Sequence, residues 1–546
     1  MPQTFSREIK ILVIDEQALA QNYLRFALEK LGYDKIYFTD HAQTALLWCK
    51  QHQFDLIICS FNLQQGKDGF QLYQELKARR IQRLATGFIF ISAETAPSLV
   101  YSVLELQPDE FLAKPYTMRD LQTRIERVLQ RKLQLLPVYH WVEQGRVDKA
   151  LTLLDDMLTN GQHLKLIPHL LRLKGELLLE QHHPQAAAFF QSILAIQPLS
   201  WARMGLIKTL IAQGNTADAF QHIQLLDNKG ESRLFMLEQR AELEFQRQDF
   251  LQAQTLLEQA AQLAPRNLLR QQKLLQLSRL NHDYERQYKT ARDMVKFARY
   301  SMYEQPDLYL NLARACIDFA ISVDEDAETN KLSRQANDCL QNIRQHFPTA
   351  ECDHQQRVVQ ARILYLKQQK DHAKKILLNL SAAQDQIENI EDALDTAKAL
   401  HEIGLLQASA EWFQRAQEVS AQQPTDPYLQ QYLQQEQQER ADLPIAPREL
   451  NNIAVMHFDH GNWQAAYAAF RQAFALLPNN AGIALNLMQC LLTMPAHPLS
   501  ADELKALFSH CLRSIDQGKL HAEQQRRFEQ LKRKHHDRLP GILQSH

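Results

Sequence analysis

Alanines 150, 186, 219 and 253 recur at intervals of 36, 33 and 34 residues. Four residues beyond each stands Leu154, Phe190, Ile223 or Leu257, and three further on Met157, Ile193, Leu226 or Ala260. Gly145 and Gly214 lie five residues upstream of their alanines, and Pro198 and Pro265 close two of the units. The same offsets return as Gly461, Ala466, Phe470, Ala473 and Pro478, with fainter copies at Ala291, Ala373 and Ser409-Phe413-Ala416. This pattern serves close helix packing. A small residue lets two antiparallel helices approach, a larger one four residues on fills the neighbouring gap, and proline stops the second helix. One hairpin cannot bury its own apolar face, but a stack of them can, so the pattern dictates an array of helical repeats.

Residues 9–130 obey a different rule. Short apolar runs rich in β-branched and aromatic residues stand at 9–14, 56–59, 87–91 and 110–113, with amphipathic stretches between them. Apolar strands alternating with helices predict a doubly wound parallel α/β sheet. Only 15 glycines in 546 residues argue against an all-β chain. A net charge of -2 argues against a basic nucleic-acid binder. The seven cysteines show no C-x-x-C spacing, so neither a zinc ribbon nor a disulfide framework is implied. The 21 histidines show no H-E-x-x-H spacing, and no glycine-rich phosphate loop occurs. The N-terminal apolar run is too short for a secretory leader, and no 18-residue apolar stretch predicts a membrane span. A cytoplasmic protein without membrane insertion is the expectation.

Four motifs in order give the first region a resemblance. ILVIDE places Asp15 and Glu16 after the first strand, and DLIICSFNLQQGKDGFQLYQEL spans the third strand and the helix after it. FIFISAET places Ser92 after the fourth strand, and DEFLAKPYT places Lys114 and Pro115 after the fifth. Residues 8–130 thus resemble the response-regulator receiver (CheY-like) domain, which implies a five-stranded, flavodoxin-like sheet. The remainder resembles tetratricopeptide repeats. Degenerate repeats are expected over 131–420, a Gln/Pro-rich joint over 421–446, a well-formed repeat over 447–480 and further helices over 481–546. The basic run at 524–537 reads as a solvated last helix.

What the resemblance implies can be carried over by residue. Asp15 and Glu16 match the acids that hold Mg²⁺, Asn62 the residue whose backbone carbonyl ligates it, Ser92 the switch hydroxyl, Lys114 the phosphoryl-binding lysine and Phe111 the aromatic switch. The phosphoacceptor position is Ser60 where receivers carry Asp. A serine hydroxyl is neutral and weakly nucleophilic without a base, and cannot form an acyl phosphate. It also removes one anionic metal ligand, so any Mg²⁺ site is weakened. Asp55 lies about 17 Å back along the same strand, and Asp68 lies in a loop beyond the site. Lys114 is then free to pair with Asp15.

The expected function is that of a non-enzymatic two-component (phosphorelay) response regulator acting by protein–protein interaction through its repeats. It would not be phosphorylated on the usual aspartate. Its partners would be a sensor histidine kinase or another response regulator, with no nucleic acid. The receiver would dock the kinase or pack on its own repeats. Two alternatives stay open: a phosphatase or inhibitor acting on a partner kinase or receiver, and a self-assembling scaffold that homodimerises through helix four, strand five and helix five.

Overall fold

A computed structural model describes residues 8–534 except 64–65, 95, 161–163, 227–229, 324, 381–388, 442, 444, 446, 495–497, 518–519 and 521. The end of the basic run, beyond Lys534, lies outside the described residues. The chain divides into two compact units. Unit 1 holds the chain to Arg270 together with Phe297–Glu304, and unit 2 holds Gln271–Lys296 and everything from Gln305 on.

Unit 1 begins with a parallel sheet of β1 (Lys10–Ile14), β2 (Lys35–Thr39), β3 (Leu56–Ser60), β4 (Gly87–Ser92) and β5 (Glu110–Ala113), in the order β2-β1-β3-β4-β5. Helices α1 (Ala18–Lys30), α2 (Ala42–Gln51), α3 (Gly69–Ala78) and α4 (Pro97–Leu106) connect the strands. β3 and β4 are buried at every position, as strands covered on both faces must be. Leu12, Ile57, Phe88 and Phe90 fill one side of the sheet, and Val13, Leu24, Ile58 and Ile125 the other. β2, KIYFT, is the strand the apolar runs did not reveal. It is an edge strand with only Thr39 buried, and its run Ile36-Tyr37-Phe38 is three residues long.

α5 (Met118–Glu143) joins the two patterns without a break. Leu121, Ile125 and Val128 pack on the sheet, whereas Leu135 and Val138, on the same helix, belong to the core of the repeats. The helix continues through Pro137. Beyond it come α6 (Val147–Thr159), α7 (Ile167–Glu180), α8 (Ala186–Ile196), α9 (Ser200–Ala212), α10 (Thr216–Gln224), α11 (Gly230–Gln246) and α12 (Phe250–Leu263). Ala150, Ala186, Ala219 and Ala253 are all buried, as the spacing demands. Phe190 shows the interlock directly. A Cβ on Gly175 of α7 would come within 2.8 Å of its ring, and one on Gly205 of α9 within 2.4 Å. Both glycines are holes that the phenyl ring fills.

α13 (Leu268–Leu280) and α14 (Tyr284–Ala298) contribute residues to both units. Unit 2 continues with α15 (Pro306–Ser322), α16 (Asp326–His346), α17 (Asp353–Leu366), α18 (Lys370–Leu380), α19 (Ile390–Glu402), α20 (Leu406–Gln422), α21 (Pro427–Ala441), α22 (Pro447–Asp459), α23 (Trp463–Leu476), α24 (Ala481–Thr493), α25 (Ala501–Gln517) and α26 (Ala522–Lys534). The fold is thus a five-stranded α/β domain followed by helical repeats. Ala466, Phe470 and Ala473 are buried, Gly461 ends α22's turn with a φ of 74°, and Pro478 lies just past the end of α23. The fainter anchors Ala291, Ala373, Ser409, Phe413 and Ala416 are buried as well. Most of the stretch read as a joint is helix α21. Its apolar residues and tyrosines are buried on one side between exposed and half-buried glutamines. No helix among the described residues is long and apolar enough to cross a membrane.

Candidate functional site

Parallel strands end their carboxyl termini on one edge of the sheet, and loops leaving that edge open a crevice. Asp15 and Glu16 come after β1, Ser60 ends β3, Ser92 ends β4, and Lys114 comes after β5. The four motifs therefore meet at one edge, as their resemblance implied. Asp15 is 1% exposed. Its Oδ2 pairs with Lys114 Nζ at 3.0 Å, and its Oδ1 accepts the Gln17 amide at 2.9 Å. Lys114 is held in turn by its backbone amide, which donates to the Ser92 carbonyl at 2.7 Å, ahead of a cis peptide to Pro115.

Ser60 is 9% exposed, and its hydroxyl donates to the Asn62 carbonyl at 3.0 Å. That carbonyl is the group expected to face a metal. Ser92 is buried, and its hydroxyl accepts the Glu94 amide at 3.0 Å. Phe111 is half-buried in β5 against the same core cluster as Phe88 and Phe90. Glu94 was not singled out from the sequence. Its carboxylate accepts from Asn62 Nδ2 at 2.9 Å and ties the loop after β3 to the loop after β4. A lone exposed acid in a loop carries no spacing signal, so nothing in the sequence marked it.

The donor set is weakened for Mg²⁺. A hard divalent ion needs several free oxygens in octahedral array. Here both Asp15 oxygens are engaged, the Asn62 carbonyl is taken by Ser60, and Ser60 supplies no charge. Among the described residues no group of three or more His, Cys, Asp or Glu side chains is placed to hold a metal. Cys59 does not replace the missing nucleophile. Its complete burial, and after it the negative charges of Asp68 and Asp15, push its thiol well above the usual range.

The loop beyond Ser60 is met by the repeats of unit 1. Arg266 places its guanidinium 2.6 Å from Asp68 Oδ2 and lies over the rings of Phe61 and Phe70, 5.2 and 5.1 Å from their centroids. Gln71 Nε2 donates to the carbonyls of Phe297 and Arg299 at 3.1 and 2.9 Å. Along α4, Glu105 accepts from Asn267 Nδ2 at 3.1 Å and pairs with Arg270. Burial works against the Arg270 charge, but Glu238 and Glu105 outweigh it and hold the guanidinium above its ordinary range. α4 also packs on α11 and α12. On the opposite border of the crevice, α1 keeps Leu19, Tyr23 and Phe26 exposed at 85, 39 and 59%.

Comparison with known proteins concerns the N-terminal region. The response regulator receiver domain family matches residues 11–126. The probable chemotaxis protein CheY of Rhizobium etli is 26% identical over 125 residues, 23% of this chain and 95% of that protein. The alkaline phosphatase synthesis transcriptional regulatory protein PhoP of Bacillus subtilis is 30% identical over 122 residues, 22% of this chain. The chain spans about half the length of that regulator. A CheY-like receiver domain structure from Methanospirillum hungatei JF-1 is 20% identical, with a TM-score of 0.21, covering 23% of this chain and 97% of that one. The N-terminal part of this chain is a response-regulator receiver domain.

Proposed function

We propose that the protein is a two-component signalling adaptor that acts by binding other proteins and takes no phosphoryl group at position 60. One observation carries this reading. The acceptor position is a buried serine whose hydroxyl is spent on Asn62, while Lys114 is neutralised by Asp15. The pocket keeps the receiver's frame and lacks its chemistry. Mg²⁺ has no part in this reading, and neither does catalysis.

The partner is a sensor histidine kinase or another response regulator. Leu19, Tyr23 and Phe26 stand at i, i+4 and i+7 on α1, so they form one exposed apolar ridge beside the pocket mouth. Such a ridge suits an amphipathic helix of a kinase core. The other end of the receiver is occupied by its own chain, through α4 on α11 and α12 and through α5. Homodimerisation through helix four, strand five and helix five would have to displace those contacts. The tetratricopeptide-like repeats supply the second binding surface.

Affinity capture with the 546-residue chain tests the reading. Recovery of a sensor kinase or response regulator is expected, with the kinase lost from Leu19→Asp/Phe26→Asp. Recovery of neither class overturns it. Transfer of label from a phosphorylated kinase to the wild-type chain would overturn the claim about position 60.

A further inference from the structure

Beside its apolar core, unit 2 buries a network of charges. Arg362 of α17 is 1% exposed and contacts three carboxylates: Asp318 at 2.8 Å, Asp395 at 2.7 Å and Glu402 at 2.5 Å. Arg314 pairs with Asp392 at 2.5 Å and Asp395 at 3.2 Å, and Arg279 pairs with Glu391 at 2.7 Å. Lys398 meets Asp318 at 2.9 Å. These groups come from α13, α15, α17 and α19, the first helices of successive hairpins. Side chains of this kind normally face water, because burying an ion pair regains little over its desolvation cost.

Helix α21 is what covers part of this face. Tyr428, Leu429, Tyr432, Leu433 and Glu436 are its buried residues, at i, i+1, i+4, i+5 and i+8. Lys273 sits 5.0 Å above the Tyr428 ring and Arg279 5.2 Å above the Tyr432 ring. Lys398 donates to the Tyr432 hydroxyl at 3.2 Å and faces Glu436 at 3.7 Å. Glu439 meets His282 at 3.0 Å, and Gln435 donates to the Leu280 carbonyl at 3.1 Å.

Two features separate α21 from the hairpins. It carries no small residue on its buried face, so it does not interlock as α19 and α20 do, where Ala397 and Ser409 meet through a 2.8 Å hydrogen bond. Its seal is also incomplete. A cavity of 40 Å³, room for about three waters, lies beside it among Tyr284, Asp318, Lys398, Glu402, Glu436 and Arg440. Arg279 Nε is buried without a hydrogen-bond partner beneath α21. Pro424 precedes the helix, which starts at Pro427, and non-helical residues separate it from α20.

We propose that α21 is a built-in occupant of a helix-binding groove in unit 2, displaced by a partner helix of matching chemistry. That partner presents aromatic residues at i and i+4 and carboxylates at i+8 and i+11, the spacing of Tyr428, Tyr432, Glu436 and Glu439. The aromatic faces meet Lys273 and Arg279 by cation–π attraction, and the carboxylates meet Lys398 and His282. The groove is charged, so opening it exposes groups that water solvates well. This inference deepens the reading that the repeats hold a protein segment.

The test uses a fluorescently labelled synthetic peptide of residues 425–442, titrated by anisotropy into the 546-residue chain. Tyr428→Ala/Tyr432→Ala should bind it at least tenfold more tightly than wild type, because its own helix no longer competes. Adding Lys273→Ala should weaken that binding severalfold. A double variant that melts cooperatively and binds no better than wild type overturns the inference. Hydrogen exchange on the wild type decides independently of any variant's folding. Amides of α21 should exchange at least tenfold faster than those of α15 and α19, and equal protection overturns the inference. A groove that takes the peptide in a chain that captures no signalling protein would uphold this inference and sink the adaptor reading.

Discussion

Asp68 serves two elements with one carboxylate. Its Oδ1 accepts the Gln71 amide at 2.9 Å and caps α3, while its Oδ2 pairs at 2.6 Å with Arg266, 198 residues away. Gln71 completes the capping box and reaches out to Phe297 and Arg299. The loop beyond the acceptor position is therefore set by the repeats as well as by the sheet.

Arg266→Ala should cost about 2 kcal/mol, from a charge-assisted hydrogen bond and its stacking on Phe61 and Phe70. Asp68→Ala should cost about 1 kcal/mol more, because the cap of α3 is lost too. Chemical denaturation of both single variants and the double variant measures the coupling. Strictly additive losses would show that the pair does not interact in solution.

Gly205→Ala should destabilise by about 1–3 kcal/mol, because its methyl would enter the space of the Phe190 ring. An unobstructed helical Gly→Ala change stabilises by about 1 kcal/mol. The sign of the shift in melting temperature is therefore diagnostic. Phe190→Leu in the same chain should recover part of the loss.

Unit 2 should lose stability with acid in two stages. Burial holds His354 and His401 below their ordinary pKa of 6.5, with cationic Arg357 and Arg440 respectively adding to it. Their folded forms are neutral, so their contribution is full above pH 6.5 and fades as pH falls below it. Burial alone would raise Asp318, but Lys398 and Arg362 overcome it and hold its carboxyl far below the usual 3.8. Glu436 is held below 4.5 in the same way by Lys398 and Arg440. These acids stabilise above their unfolded values and lose that contribution as pH falls through the folded ones. Thermal melts from pH 8 to 2 should show a first decline below about 6.5 and a steeper one below about 4.5. A flat profile between 7 and 5 would exclude the histidine stage.

Arg362→Met should be among the most damaging single changes in unit 2, costing about 3–5 kcal/mol, since Asp318, Asp395 and Glu402 lose their shared cation. Denaturant titration followed by far-ultraviolet circular dichroism reads it. A loss under 1 kcal/mol would mean that water reaches these carboxylates.

Ser60→Asp should create a third carboxylate beside Asp15 and Glu16 and draw Lys114 from Asp15. Calorimetry should detect Mg²⁺ binding to this variant and none to wild type. Equal heats from both would refute the reading of the donor set.

Much of this architecture is legible in the residues. β1, β3 and β4 declare themselves because both faces are buried, β5 through the motif around Lys114, and the anchor alanines because helix contacts exclude anything larger. β2 stays hidden because its run, Ile36-Tyr37-Phe38, is short and carries no motif at its end. α21 stays hidden because glutamines separate its paired buried positions. The pocket residues were readable from motifs local to each strand end. The Asp68–Arg266 pair was not, since a contact between positions 198 apart leaves no periodic trace. Glu94 is silent for the same reason.

α5 constrains how the two parts of this chain can be handled. It is one rod of 26 residues, about 39 Å long, with sheet contacts on its first half and repeat contacts on its second. A graft made at residue 130 would saw through its middle, leaving each fragment with a stump of greasy helix. Exchanging the receiver domain for another would demand that the newcomer bring a last helix of matched length and phase. A turn of about 100° per residue means that inserting a single amino acid there would set the phase of the rod against the Asp68–Arg266 and Glu105–Arg270 contacts.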